Sequence, residues 1–299
     1  MLRPRYYLEY AALRTIAFSF GIMPYRMALL VGAGLAWIGF HIFSYRKQMA
    51  MDRIAEVYGD KYTEAERKKI AWIAFRNFCF TIVELIIMPR LKQRWIDKHV
   101  DYKEQFARIS TWTENQGCIF VAPHTGNWNL TAAIGINEGL PLLVITRGQK
   151  NPLVSKYLLD ARSKMNAEMI NRHDKDIGRN VMRGLRANKK LCLLFDLRNP
   201  VPNEPIQWLG KPAHIADGTG LFAILGKAKV IPMMVVREGW SKQRWIVFDP
   251  IEPDLKADKK EERTRIMRDV AAVLEAEVLA RPEQYFWINK RWVLQPYTS

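Results

Sequence analysis

A chain of 299 residues with 49% hydrophobic content has an ordinary globular composition, with room for a sizeable core in one large α/β domain or two small ones. Its formal net charge of +16 calls for an anionic partner. With no zinc-finger spacing, helix-turn-helix signal or RNA-binding aromatic motif, nucleic acid is set aside in favour of an anionic membrane face or an acidic carrier protein.

The apolar content is concentrated first at the N-terminus, from Tyr10 to Ser44, broken by Arg14 and at Gly21–Pro24. The run MALLVGAGLAWIGFHIFS, Met27 to Ser44, approaches the roughly 20 residues that a helix needs to cross a hydrocarbon core. Basic residues flank it (Arg26, Arg46, Lys47), and it lacks the small-residue cleavage site of a signal peptide. Residues 1–48 are therefore expected to attach the chain to a membrane. The alternatives are one spanning helix, or a hairpin of two hydrophobic helices, broken at Gly21–Pro24, that is buried or lies in the interface plane. Residues 49–299 are expected to form the α/β domain.

Next, Thr63-Glu-Ala-Glu66 has the form of a capping box, opening an apolar helix that stops at Pro89. Glu84 lies inside this helix, where a carboxylate is expected to be paired and structural. From Gly117 onward short apolar runs alternate with helical stretches. The expected strands are Cys118–Ala122, Leu142–Thr146, Glu168–Ile170, Leu191–Phe195, Val230–Val236 and Trp245–Phe248. Helices are expected at Asn129–Asn137, Pro152–Met165, Ile177–Ala187, Gly218–Lys227 and from Lys259 to Leu279. This alternation predicts an α/β sandwich with a largely parallel central sheet flanked by helices. Between Arg147 and Lys190 the chain carries twelve Lys and Arg against four Asp and Glu, a basic surface for an acidic protein or a phosphorylated lipid. Cys79, Cys118 and Cys192, each in an apolar run, read as buried thiols of a reducing compartment, and no metal-ligand spacing occurs.

The stretch VAPHTGNWNL, Val121 to Leu130, places His124 just beyond an expected strand, at the edge where open α/β sheets carry their sites. Gly126 permits a tight turn, and Asn127 or Asn129 can cap the helix that follows. A histidine at such an edge can act as a general base near neutral pH.

These residues resemble the HX4D/E signature of the glycerolipid-type acyltransferases, in the HxGNWE form of bacterial lipid A secondary acyltransferases. The resemblance extends over nearly the whole chain. It includes the hydrophobic N-terminus, the TEAERKKI helix, Arg147 before Asn151-Pro152, and Arg179 to Arg186 leading into Leu191–Asp196. It continues through IQWLGKPAHIADGTGLFAILGKAKVIPM to the closing RPEQYFWINKRW. The resemblance implies a glycerolipid-acyltransferase-like sandwich attached to the cytoplasmic face of an inner membrane. It implies acyl transfer from an acyl carrier protein or CoA thioester, without a further cofactor, to a hydroxyl of a lipid A precursor or related anionic glycolipid. His124 would be the base. Arg147 would serve the oxyanion or a lipid phosphate, and Gly126, Asn127, Asn151 and Asp196 would line the substrate site.

One position departs from that pattern. Asn129 stands where the family has the carboxylate that orients the histidine. An amide can hold an imidazole by a hydrogen bond but offers no charge to the imidazolium. Three explanations are open: an engineered amide variant, a natural enzyme in which another carboxylate such as Asp196 or Glu84 serves, or an inactive relative that binds lipid. A thioester hydrolase is a further reading. Leu197, where the family usually has a polar residue, is a second departure.

Overall fold

The computed structural model describes residues 2–88, 91–146, 149–163 and 167–297. The apolar N-terminus forms two helices, α1 (Pro4–Ile22) and α2 (Tyr25–Trp37), and α2 runs on through a π-helical turn, Ile38–Ile42. Pro24 separates them by capping α2 in an extended conformation. After α3 (Lys47–Tyr58) the expected capping box opens α4 (Glu64–Ile87). The Thr63 hydroxyl accepts from the Glu66 N–H, and the Glu66 carboxylate accepts from the Thr63 N–H.

Three short elements that the sequence pattern did not reveal come next: α5 (Gln93–His99), β1 (Val100–Asp101) and α6 (Lys103–Trp112). The alternating region then follows its expected order through β2 (Cys118–Ala122), α7 (Asn129–Asn137), β3 (Leu142–Thr146), α8 (Pro152–Ser163), β4 (Ala167–Asn171), α9 (Ile177–Arg186) and β5 (Lys190–Leu194). A hairpin, β6 (Ile206–Trp208) and β7 (Lys211–Ala213), turns at Leu209 and Gly210, both at positive φ. The chain ends with α10 (Gly218–Gly226), β8 (Lys229–Glu238), β9 (Lys242–Val247) and α11 (Lys259–Ala280).

Among the described residues the main sheet has seven strands in the order β1-β9-β8-β2-β5-β3-β4. Every pair is parallel except β8 with β9, so the sheet is largely parallel, as expected. All five residues of β2 are buried, because helices cover both faces. Ile119 and Val121 point into the core shared with α3, α4, α9, α10 and α11, whereas Cys118, Phe120 and Ala122 point into the core shared with α5, α6 and α7. A third cluster joins the N-terminal helices to α4 through Phe20, Ala28, Leu29, Phe80, Val83 and Ile87.

Glu84 is the paired structural carboxylate that its position predicted. Arg237 of β8 meets it with two nitrogens, at 2.9 and 2.6 Å, and neither side chain is exposed. The Tyr25 hydroxyl donates to Oε1 at 2.6 Å, Asn127 Nδ2 to Oε2 at 2.7 Å, and Gln243 Nε2 to both oxygens at 3.3 Å. One carboxylate thus ties α2, α4, β8, β9 and the loop after β2 together. Replacing Arg237 by Ala leaves Glu84 charged, buried and without its counter-ion, which should cost about 3–5 kcal/mol. Denaturant unfolding in mild detergent reads that loss, and a midpoint equal to the parent's would refute it.

Candidate active site

The site is set by strand register. β2 and β5 are parallel with Ala122 opposite Leu194, so two residues further along each chain His124 and Asp196 stand side by side at the C-terminal edge of the sheet. The His124 ring Nδ1 lies 2.7 Å from Asp196 Oδ1, and the His124 backbone N–H donates to both carboxylate oxygens at 3.1 and 3.2 Å. A carboxylate on Nδ1 fixes the tautomer with its proton on that nitrogen and leaves the lone pair on Nε2. Among the described residues no protein group hydrogen-bonds Nε2.

Asp196 is buried, which by itself would raise its pKa. The positive charge available on His124, the ring and backbone hydrogen bonds from that residue, and a hydrogen bond from the Tyr285 hydroxyl outweigh burial and hold the carboxyl below its ordinary value. Burial and the Asp196 charge push the Tyr285 phenol well above its ordinary pKa, so it stays protonated and a donor. Trp208 Nε1 in turn donates to the Tyr285 oxygen at 3.4 Å.

The segment carrying Tyr285 is zipped onto the histidine loop. The Gly126 N–H donates to the Gln284 carbonyl at 3.0 Å and the Phe286 N–H to the His124 carbonyl at 3.0 Å. The Gln284 side chain clamps the Arg237 backbone, accepting from its N–H at 2.8 Å and donating to its carbonyl at 3.1 Å. Gly126 sits at φ +48°, and a Cβ there would fall 2.3 Å from the Val235 carbonyl oxygen, so the loop requires glycine. Trp128 and Phe286 flank the imidazole, with ring centroids 4.9 and 5.9 Å from it, and Phe78 stacks on Phe286 at 4.5 Å. The His124 side chain keeps 10% of its surface exposed, so the ring is sheathed but reachable.

The other expected site residues fall in different places. Asn129 does not hold the imidazole. Its backbone N–H and its side-chain amide both donate to Asn127 Oδ1, at 3.1 and 3.3 Å, and it begins α7. The carboxylate of Asp196 already occupies Nδ1, and the helix start takes up the amide instead. Asn127 is buried, with Nδ2 on Glu84 and Oδ1 on the first turn of α7, so it positions the loop. Asn151 is likewise structural. Its Oδ1 accepts from the Leu153 N–H at 3.0 Å to start α8, while Nδ2 donates to the Tyr6 carbonyl and to Glu9, both at 2.9 Å. Asp196, expected as a substrate contact, is bonded to His124. Arg147 lies outside the described residues. Tyr285 and Phe286 had no assigned role, although the RPEQYFW motif that contains them was the available signal.

In comparisons with known proteins, the family of bacterial lipid A biosynthesis acyltransferases matches residues 1–293. The chain is 22% identical over 313 residues to the lipid A biosynthesis lauroyltransferase of Escherichia coli (strain K12), covering 99% of this chain and 94% of that one. It is 21% identical over 303 residues to the lipid A biosynthesis palmitoleoyltransferase of the same organism, with the same coverage. A lipid A biosynthesis acyltransferase of Shigella flexneri matches equally, at 21% over 303 residues.

The lowered Asp196 pKa has a consequence for folding. The group stabilises the fold above the unfolded carboxyl value of about 3.9, and that contribution disappears as pH falls through the lower folded value. The parent should therefore lose stability on acidification below about pH 4 more steeply than an Asp196→Asn variant. Parallel pH dependences for the two would contradict the depressed pKa.

Proposed function

The chain belongs to the bacterial lipid A biosynthesis acyltransferase family, and from that premise we propose that it transfers a fatty acyl chain from a thioester to a lipid hydroxyl, with His124 as general base and Asp196 as its orienting carboxylate. The observation that carries the assignment is the 2.7 Å contact between His124 Nδ1 and Asp196 at the sheet edge.

In the proposed reaction, His124 Nε2 takes the hydroxyl proton as the acceptor oxygen attacks the thioester carbonyl carbon. The C–O bond forms, the carbonyl oxygen becomes an oxyanion, and the positive charge on the imidazolium is balanced by Asp196. Collapse of the tetrahedral intermediate breaks the C–S bond, and the departing thiolate recovers the proton from Nε2. The products are the acyl ester and a free thiol, so no cofactor beyond the thioester is required. Arg147, which follows β3 in the sequence, is the proposed cationic donor to the oxyanion or to a phosphate of the acceptor. The acceptor is proposed to be a lipid A precursor or related glycolipid, the donor an acyl carrier protein thioester, and the place of action the cytoplasmic face of an inner membrane. Two apolar helices long enough to cross a membrane, Tyr25–Ile42 and Glu64–Ile87, support attachment to it.

The reading of an inactive lipid-binding relative rests on Asn129 and Leu197. A carboxylate on His124 supplied from β5 supports the active reading, because the charge missing at Asn129 is present at Asp196.

The two residues are separable by kinetics. Asp196→Asn should lower kcat by about 10³–10⁴, as loss of the triad aspartate does, whereas Asn129→Ala should cost less than about tenfold. Acyl product from a thioester donor and a hydroxylated lipid acceptor, followed by mass spectrometry, is the measurement. Equal losses in the two variants would return the orienting role to Asn129, and full activity in His124→Ala would end the general-base assignment.

A further inference from the structure

The Tyr285 hydroxyl meets two polar groups, and their chemistry fixes which way it points. Trp208 Nε1 lies 3.4 Å from the hydroxyl oxygen, and an indole N–H can only donate. The oxygen therefore accepts from Trp208, which leaves the hydroxyl proton for Asp196, a carboxylate that can only accept. Trp208, Tyr285 and Asp196 form a one-way chain of donors ending on the carboxylate that holds His124 Nδ1. Resting on the general-base reading above, we propose that Tyr285 is a positioning residue of the reaction, its hydroxyl holding Asp196 in place and tempering the pull of that carboxylate on the imidazole.

Tyr285 is fixed from both sides. Its backbone forms an antiparallel bridge with Thr125, the residue after His124, and the neighbouring Phe286 N–H donates to the His124 carbonyl at 3.0 Å. Beyond it, Arg53 of α3 donates to the carbonyls of Trp287 and Asn289 at 2.5 and 2.8 Å, and Arg46 to that of Ile288 at 2.5 Å. The ring is buried among Trp208, Trp287 and Trp292, with centroids 6.5, 5.0 and 6.2 Å away. A phenylalanine would fill that aromatic cage equally well, because none of these ring contacts uses the oxygen. A hydroxyl buried there is unfavourable unless it is bonded, and the bond it donates goes to the carboxylate beside the base.

The consequence follows from how a carboxylate responds to its donors. With Tyr285 in place, part of the negative charge of Asp196 is drawn toward a neutral hydroxyl and the rest toward His124. Without the hydroxyl, the carboxylate stays buried with one donor fewer. It then holds a proton on the imidazole more tightly, or takes one itself. Either way the coupled His124–Asp196 pair keeps its proton to higher pH, and a protonated pair is not a base. The charged groups facing this chain are His124 from the loop after β2 and Arg53 from α3, with Arg46 and Glu56 beside Arg53. A Tyr285→Phe change removes none of them.

The test is the pH dependence of turnover by the full chain in detergent, with a thioester donor and a hydroxylated lipid acceptor. Tyr285→Phe should lower kcat at neutral pH by about tenfold, keep KM within about twofold and move the acid limb of the profile upward by about 0.5 pH unit or more. Trp208→Phe, which frees the hydroxyl to turn, should move the limb the same way by less. A tyrosine fluorinated beside its hydroxyl, placed at position 285, keeps the shape and donates more strongly. It should move the limb downward, a direction that a packing defect does not give. The proposal is overturned by a Tyr285→Phe limb that coincides with the parent's, by a loss of rate that is the same at every pH, or by an upward displacement with the fluorinated residue. Full activity in His124→Ala would end the underlying reading and this proposal with it. An acid limb that is present in the parent and unmoved by Tyr285→Phe, with His124→Ala inactive, overturns the role of Tyr285 alone.

Discussion

Two neighbouring parallel strands in fixed register bring an imidazole and a carboxylate, 72 residues apart in the chain, to 2.7 Å. Everything proposed for the site depends on that register. A slip of one residue between β2 and β5 would turn Asp196 to the other face of the sheet and leave His124 without its carboxylate. The slip is prevented by burial on both faces. Ile119 and Val121 fill one core and Cys118, Phe120 and Ala122 the other, so a slip would exchange the side chains whose shapes are fitted to each face.

The price of such a site is charge without water. Asp196, Glu84 and Arg237 are all buried, and each would be unfavourable alone. They are tolerated because each charge meets an opposite charge or several donors, although Arg237 Nε is left without a partner among the described residues. Asp196 receives His124 twice and Tyr285 once, and Glu84 receives Arg237, Tyr25, Asn127 and Gln243. The two carboxylates divide the labour. Asp196 holds the imidazole by Nδ1, while Glu84 fixes the loop that carries it. Because Gln284 bridges the Arg237 backbone to the segment bearing Tyr285, the two networks are joined, and local order at the site is tied to order in the core.

The elements were legible because their signals are local. β2, β3 and α7 have the bounds expected from apolar runs and turn residues, and the capping box at Thr63 is made as the spacing implied. The short strand β1, the helices α5 and α6 and the β6–β7 hairpin were not read, since too few residues carry a period in each. The site was legible only in part. His124 could be placed at a strand end and Asp196 or Glu84 named as a carboxylate that could serve it, but the choice stayed open, because spacing along the chain says nothing about which strand lies beside β2. Five-residue proximity favoured Asn129, and the adjacent strand supplied Asp196 instead. Asn151, just before a proline, reads more readily as a helix start than as a ligand contact, and it does begin α8.

The aromatic sheath bears on the choice between alcohol and water as the attacking group. Trp128 and Phe286 leave only a tenth of the His124 side chain open. A general base in bulk solvent would activate water as readily as a lipid hydroxyl, and the thioester would be hydrolysed. Holding the ring against two aromatic side chains lowers the local concentration of water around it.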